Sequence, residues 1–352
     1  MFCKVLIVSA VISIVCCCKS IRNVEVNGVL TNGKSFTTVL NGCIDRKSIL
    51  IGNDSRKISE IDINQQDIPR LEKDSIKHLI YLRRITIRNT NLEVLDLDIF
   101  RNTPKLETVD FISNKIQIIR DGVYNYQDFI SVSLYNNQIL TMDDMAFANM
   151  SQLTSLNISY NQLDVFVRGW FYNLPKLTTI DFQHNQIETL RQKAFANIPS
   201  VKNIYLNNNN IQTIEPHAFK NLGSLVHLDL RHNLLQTLNS NSFPKKISVT
   251  GLYLNANRIN ALKKSLWTAI SVSNVSLDGN PWNCYCMRDM EKLLEKQNIN
   301  VVLSPECSDT SIPVCAAANL NECIEEHSEE LTNFYYKQLV HQKDSPCVRY
   351  ME

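Results

Sequence analysis

The side chains most able to do chemistry in this chain are its cysteines and histidines. Cys3, Cys16, Cys17 and Cys18 crowd the start, Cys43 stands alone, and Cys284, Cys286, Cys307, Cys315, Cys323 and Cys347 gather towards the end. Cys284-Tyr-Cys286 admits two readings, thiolate ligation of a metal or membership of a disulfide framework, and no His shares its spacing, which favours disulfides. His184, His227 and His232 would suit a metal or a pH switch, but no Cys or carboxylate set with ligand spacing accompanies them. The sequence holds no Gly-rich phosphate loop, no Gly-x-Ser-x-Gly elbow and no His-Glu-x-x-His. The expectation is therefore no enzyme, no cofactor and no metal site. Asn-x-Ser sequons at Asn53, Asn149, Asn157 and Asn274 would accept glycans in a secreted chain.

Composition narrows the partners. Lys plus Arg number 36 against 35 Asp plus Glu, a net charge of +1, so no basic excess is available to neutralise a nucleic-acid backbone. Hydrophobic residues at 44% exclude wholesale disorder, and 9 Gly with 10 Pro exclude low complexity. Lys4, the apolar run Val5 to Val15, the small residues Cys16 to Cys18 and then Lys19-Ser20 have the three-part layout of a secretory signal peptide over residues 1–18. A buried N-terminal strand or helix is the alternative. The run is too short to span a bilayer, and the stretch Asp344 to Glu352 is polar, so a secreted, extracellular protein with no membrane anchor is expected. A cut ahead of Lys19 leaves seven Cys, an odd number that strands one sulfur. Cys43 is then a candidate for an intermolecular bridge and a disulfide-linked dimer, with a buried thiol as the alternative; a cut ahead of Cys18 would supply an eighth.

What positions any site is a repeat. Leu153-Thr-Ser-Leu156-Asn-Ile158-Ser-Tyr-Asn161-Gln-Leu163 recurs 24 residues later as Leu177-Thr-Thr-Ile180-Asp-Phe182-Gln-His-Asn185-Gln-Ile187. The marker positions 66, 90, 114, 137, 161, 185, 209, 233, 257 and 280 are spaced 23 or 24 throughout, with Gln66 and Thr90 replacing Asn in the first two. A second column, Phe100, Tyr124, Phe147, Phe171, Phe195, Phe219 and Phe243, keeps the same period. Two apolar residues two apart on a short strand point to one side, the interior. An inward Asn amide can bond backbone groups that no sheet partner satisfies. No coil buries its apolar face alone, so the coils stack around one long core.

This pattern resembles the extracellular leucine-rich-repeat family in its 24-residue subtype, over residues 58 to 282. The resemblance implies an α/β solenoid, a right-handed horseshoe with a concave parallel β-sheet. Asn280-Pro-Trp282-Asn-Cys284-Tyr-Cys286, with Met287, Met290, Leu293 and Leu294 at helical spacing and then Cys307 and Cys323, resembles the family's cysteine-rich C-terminal cap. By position that implies Cys284 with Cys307 and Cys286 with Cys323, which leaves Cys315 to pair with Cys347 across a tail whose Ile324, Leu331, Phe334, Tyr335 and Leu339 read as one helix face. The expected organisation is residues 1–18 signal peptide, 19–57 N-terminal cap, 58–279 repeats, 280–323 C-terminal cap and 324–352 tail. The chain is also similar to the mosquito complement-like leucine-rich immune proteins without their coiled coil, and to Toll and Slit ectodomains.

In such a solenoid the strand side chains that alternate with the core line the concave face. His184, Tyr205, Asn207, Asp229, Arg231, His232 and Tyr253 form its densest polar and aromatic patch, a composition suited to protein recognition. The expected function is binding of a protein ligand on that face in innate recognition. An extracellular matrix or adhesion and signalling protein, of the proteoglycan or Slit and Toll kind, is the alternative.

Overall fold

A computed structural model describes residues 18–49, 57–124, 127–304, 315–316 and 322–339. The chain divides into two compact units, Met1–Leu153 and Thr154–Glu352.

The first unit opens with an antiparallel hairpin of Val24–Leu30 and Ser35–Leu40, in which Val24 lies opposite Leu40 and Gly28 opposite Phe36. Strict alternation makes the hairpin: Val24, Val26 and Leu30 are buried, while Glu25 and Asn27 face out. The hairpin seats antiparallel on Ile58–Asn64, after which Arg84–Arg88, Thr108–Ile112 and Ser131–Ser133 follow in parallel. Register runs Asp62, Thr86, Asp110, Ser133, so the same repeat position sits side by side from coil to coil.

The second unit has the same scheme within itself, with Ser155–Asn157, Thr179–Asp181, Asn203–Tyr205, Ser224–Asp229, Ile247–Tyr253 and Ile270–Ser276 all parallel. Its register aligns Asn157, Asp181, Tyr205, Asp229, Tyr253 and Ser276. The Asn column bonds the coils together. Asn185, Asn209, Asn233, Asn257 and Asn280 each accept through Oδ1 from a backbone N–H of the preceding coil at 2.9–3.2 Å. Each donates through Nδ2 to a carbonyl of that coil at 2.9–3.1 Å. On the far side of the coils Phe195, Phe219 and Phe243 stack at 5.3 and 4.7 Å. In the first unit Thr90 substitutes for Asn by bonding the Oδ1 of Asn114, and Gln66 turns to accept from Glu25 N.

The cysteine pairing differs from expectation in three places. Cys43 is joined to Cys18 within the chain, so it has no sulfur to offer a second copy. The hairpin is the cause: it returns Leu40 to Val24, and Gly42 N donates to Ile21 O at 2.8 Å, which brings the flanking cysteines together. A signal-peptide boundary at residue 18 conflicts with this bond. Cys284 is joined to Cys315, not Cys307, because a short bridge carries Ala316 against Asn283, with Cys284 N donating to Ala316 O and Ala316 N to Trp282 O. Cys315 is thereby unavailable to Cys347; Cys307 and Cys347 lie outside the described residues. Cys286 is joined to Cys323.

The helix Cys284–Lys296 starts where the side chain of Asn283 accepts from Tyr285 N and Cys286 N, and it buries Cys286, Met290 and Leu294. The tail helix, Glu329–Gln338, is capped by Ser328 and tied to the repeats by Asn260, which accepts from Ser328 N at 2.7 Å and donates to Thr332 Oγ1 at 3.1 Å. Leu331, Tyr335 and Leu339 are buried at i, i+4 and i+8, whereas Phe334 and Ile324 are exposed. The helical period turns Phe334 off the face that Leu331 and Tyr335 define, and Ile324 precedes the helix.

Candidate partner-binding face

Within the second unit the parallel register brings most of the expected patch together. Tyr205, Asp229 and Tyr253 are direct neighbours across three strands, and His227 lies one pleat away, aligned with Asn203 and Gly251. Repeat reading left His227 outside the patch, yet its ring sits between the two tyrosines, 4.8 Å from Tyr205 and 4.5 Å from Tyr253. The three rings form a continuous aromatic ladder on the open face of the sheet. Farther along, Tyr160 stacks on His184 at 4.0 Å.

His184 and His232 occupy a special backbone column. Ser113, Asn136, Tyr160, His184, Asn208 and His232, each just before the marker Asn, have φ between 52° and 56°. That left-handed conformation is several-fold enriched in Asn and His, so the turn supplies a backbone reason for both histidines besides any role in recognition. Hydrophobic periodicity carries no trace of this column.

The charges divide into one matched and one unmatched carboxylate. Asp229 is fully buried and accepts from Arg231 Nε at 2.9 Å and Arg231 N at 3.2 Å. Arg231 thus acts as the counter-ion of a buried acid rather than as a free anchor. The Nε2 of His227 lies 3.8 Å from Asp229 Oδ2, beyond hydrogen-bond reach, and is a buried nitrogen with no hydrogen-bond partner. Asp181 is half-buried and accepts only amide hydrogens, from Gln183 N at 3.1 Å and Gln183 Nε2 at 3.0 Å. Burial pushes its carboxyl above the usual range, and Asp229 adds to the rise, while the Gln183 bonds oppose it. The Tyr205 phenol is raised by burial and by Asp181, Asp229 and Tyr253. Gln183 Oε1 in turn accepts from Asn207 Nδ2 at 3.0 Å; Asn207 is 5% exposed and its Oδ1 has no hydrogen-bond partner.

Sequence reading missed a second feature, in the first unit. Gly28 lets the Phe36 ring lie across the sheet, since a β-carbon there would come within 2.6 Å of the ring's Cε1. Beside it opens a cavity of about 580 Å³ lined by Phe36, Asp62, Arg84, Thr86, Arg88 and Asp110. Its cations are committed, Arg88 to Asp62 and Arg84 to Asp110. Burial raises the Asp110 carboxyl against the opposing pull of Arg84 and Thr86.

Among the described residues no group of three or more His, Cys, Asp or Glu could hold a metal, and no helix is long and apolar enough to cross a membrane. Of the sequons, Asn149 and Asn157 are half-buried, with Asn157 Oδ1 accepting from Ser159 N and Oγ. Asn274 Oδ1 accepts from Asn300 Nδ2 at 3.0 Å, and Asn53 lies outside the described residues.

The leucine rich repeat family matches at residues 131–187, 164–211, 175–235 and 199–259, the stretch whose Asn ladder and strand register were described above. Residues 131–259 are leucine-rich repeats. No curated protein sequence matches the chain. Solved structures share its fold. A chain of the mouse RP105/MD-1 complex aligns with a TM-score of 0.61 at 21% identity, over 75% of this chain and 45% of that one. A chain of the Drosophila Toll–Spatzle complex aligns with a TM-score of 0.55 at 18% identity, over 78% and 41%. The leucine-rich repeat domain of APL1B aligns with a TM-score of 0.53 at 21% identity, over 79% and 72%. The chain therefore spans less than half the length of the RP105/MD-1 and Toll–Spatzle chains it resembles.

Proposed function

We propose that the protein is secreted and works outside the cell by binding another protein through the open sheet face of its second unit, in innate recognition. The observation that carries this reading is the Tyr205–His227–Tyr253 ladder, three rings in contact on a polar face beside the buried Asp229 and its half-exposed counter-ion Arg231. Aromatic side chains of this kind are prominent among the residues that carry protein–protein binding energy. Intrachain disulfides at both ends fit an oxidising compartment. The N-terminal signal sequence supports export, with cleavage ahead of Cys18. Chains of similar fold occur in complexes with MD-1 and Spatzle, the Toll–Spatzle complex being described as a molecular hub in Drosophila development and innate immunity.

The test is capture of partners from the source organism's extracellular fluid by purified wild-type protein and variants. Tyr205→Ala with Tyr253→Ala should abolish capture without lowering secretion, and Thr86→Ala should leave it intact. Loss in Thr86→Ala alone would move the site to the cavity of the first unit.

A further inference from the structure

Resting on the reading of this face as a protein-binding surface, we propose that the partner's anchor is an arginine side chain, whose guanidinium docks against the Asp181 carboxylate and the Asn207 amide oxygen beside the ring of Tyr205. The second unit's patch carries two carboxylates, and only one is matched. Asp229 has Arg231. Among the described residues Asp181 has two amide donors, both from Gln183, and no cation in an ion pair with it. A half-buried carboxylate in this state is a standing attraction for a positive charge, since the interaction strengthens where water is scarce.

An independent feature points the same way. Asn207 is 5% exposed, yet its Oδ1 accepts nothing, while its Nδ2 is held by Gln183. A buried acceptor left without a donor costs free energy that a ligand's N–H would recover. Gln183 bonds both residues, so the two unsaturated acceptors, Asp181 and Asn207, are fixed on either side of one amide. A guanidinium presents a rigid planar fork of five N–H donors, able to serve two acceptors at once, and it stacks on aromatic rings. The Tyr205 ring, backed by His227 and Tyr253, provides that stacking surface. An ammonium is a single point charge and meets fewer of these requirements.

The probe is N-acetylarginine methylamide, with the citrulline analogue as its neutral isostere, titrated into the intact protein labelled with 3-fluorotyrosine and followed by fluorine NMR. Tyr205→Phe assigns the Tyr205 resonance. The arginine probe should shift that resonance saturably, and the citrulline probe should not. Asp181→Asn should weaken the arginine probe at least about tenfold, as loss of a charge-assisted hydrogen bond implies. Thr86→Ala should leave it unchanged. Absence of a saturable shift, an equal response to citrulline, or full affinity in Asp181→Asn overturns the arginine anchor. If Asp181→Asn fails to fold, the comparison of arginine with citrulline decides alone. Partner capture separates the two levels: capture lost in Tyr205→Ala but kept in Asp181→Asn leaves the surface and removes the anchor, whereas capture kept in both removes the surface.

Discussion

Gly251 makes room for the ring of Tyr253: a β-carbon on Gly251 would lie 2.8 Å from both the Cε2 and the hydroxyl oxygen of that ring. Gly251 is aligned with His227 on the neighbouring strand, so its missing side chain is what allows Tyr253 to fold back and meet the imidazole at 4.5 Å. Gly251→Ala should expel the ring and cost about 1–3 kcal/mol through overpacking. Thermal unfolding should show a modest drop in Tm, and partner capture should fall as far as in Tyr253→Ala. Undiminished capture would detach ring placement from binding.

Asn233 links two coils through four hydrogen bonds, accepting from Ile211 N and donating to Leu206 O, Leu230 O and Arg231 O. Asn233→Ala leaves several of these backbone groups buried and unpaired, at about 1–3 kcal/mol for each group not otherwise satisfied. Denaturant unfolding should therefore show a loss of at least about 2 kcal/mol. A loss no larger than that of an exposed substitution such as Lys202→Ala would refute the ladder's structural weight.

Cys43→Ser removes the Cys18–Cys43 bond and should destabilise the N-terminal hairpin by about 2–5 kcal/mol, the usual effect of losing a native bridge. Wild-type protein should yield a peptide joining Cys18 to Cys43 on non-reducing mapping, and N-terminal sequencing should begin at or before Cys18. A mature chain that starts at Lys19 would reject both.

Asp181 should make stability pH-dependent in a defined direction. In the unfolded chain its carboxyl titrates at about 3.9, and in the folded protein burial holds it higher. Below the unfolded value both states are protonated and nothing is lost; as pH rises through the raised folded value the charge becomes buried and stability falls. Asp181→Asn should accordingly be more stable than wild type at pH 7, with the gap closing as pH falls towards 4. A gap that stays constant over that range would exclude burial of the charge as its cause.

Most of the solenoid was legible because Leu and Asn recur for reasons that act coil by coil: the period alone aligns Asn157, Asp181, Tyr205 and Asp229 as the strands do. The same logic could not find His227, which is set by packing between rings on two other strands. Nor could it distinguish Cys307 from Cys315 as the partner of Cys284, since that choice follows from where Ala316 bridges to Asn283. The N-terminal hairpin had visible signals, the alternation of Val24 to Leu30 and the turn at Asn32-Gly33, but it lies outside the repeat period. Backbone handedness explains the type of His184, and no hydrophobic pattern encodes that.

The reversed seat of the hairpin also sets how such a chain could change its length. Within the second unit each coil offers its neighbour the same parallel register and the same Asn bonds, so a duplication or loss of one 24-residue coil could be absorbed in phase. At the hairpin that grammar stops. Val24, Val26 and Leu30 are already buried, and beyond them Ser35, Thr37 and Val39 are exposed alternately, so the described residues leave no bare core there on which another coil could stack. Repeat number is thus editable from the inside while the N-terminal end stays sealed.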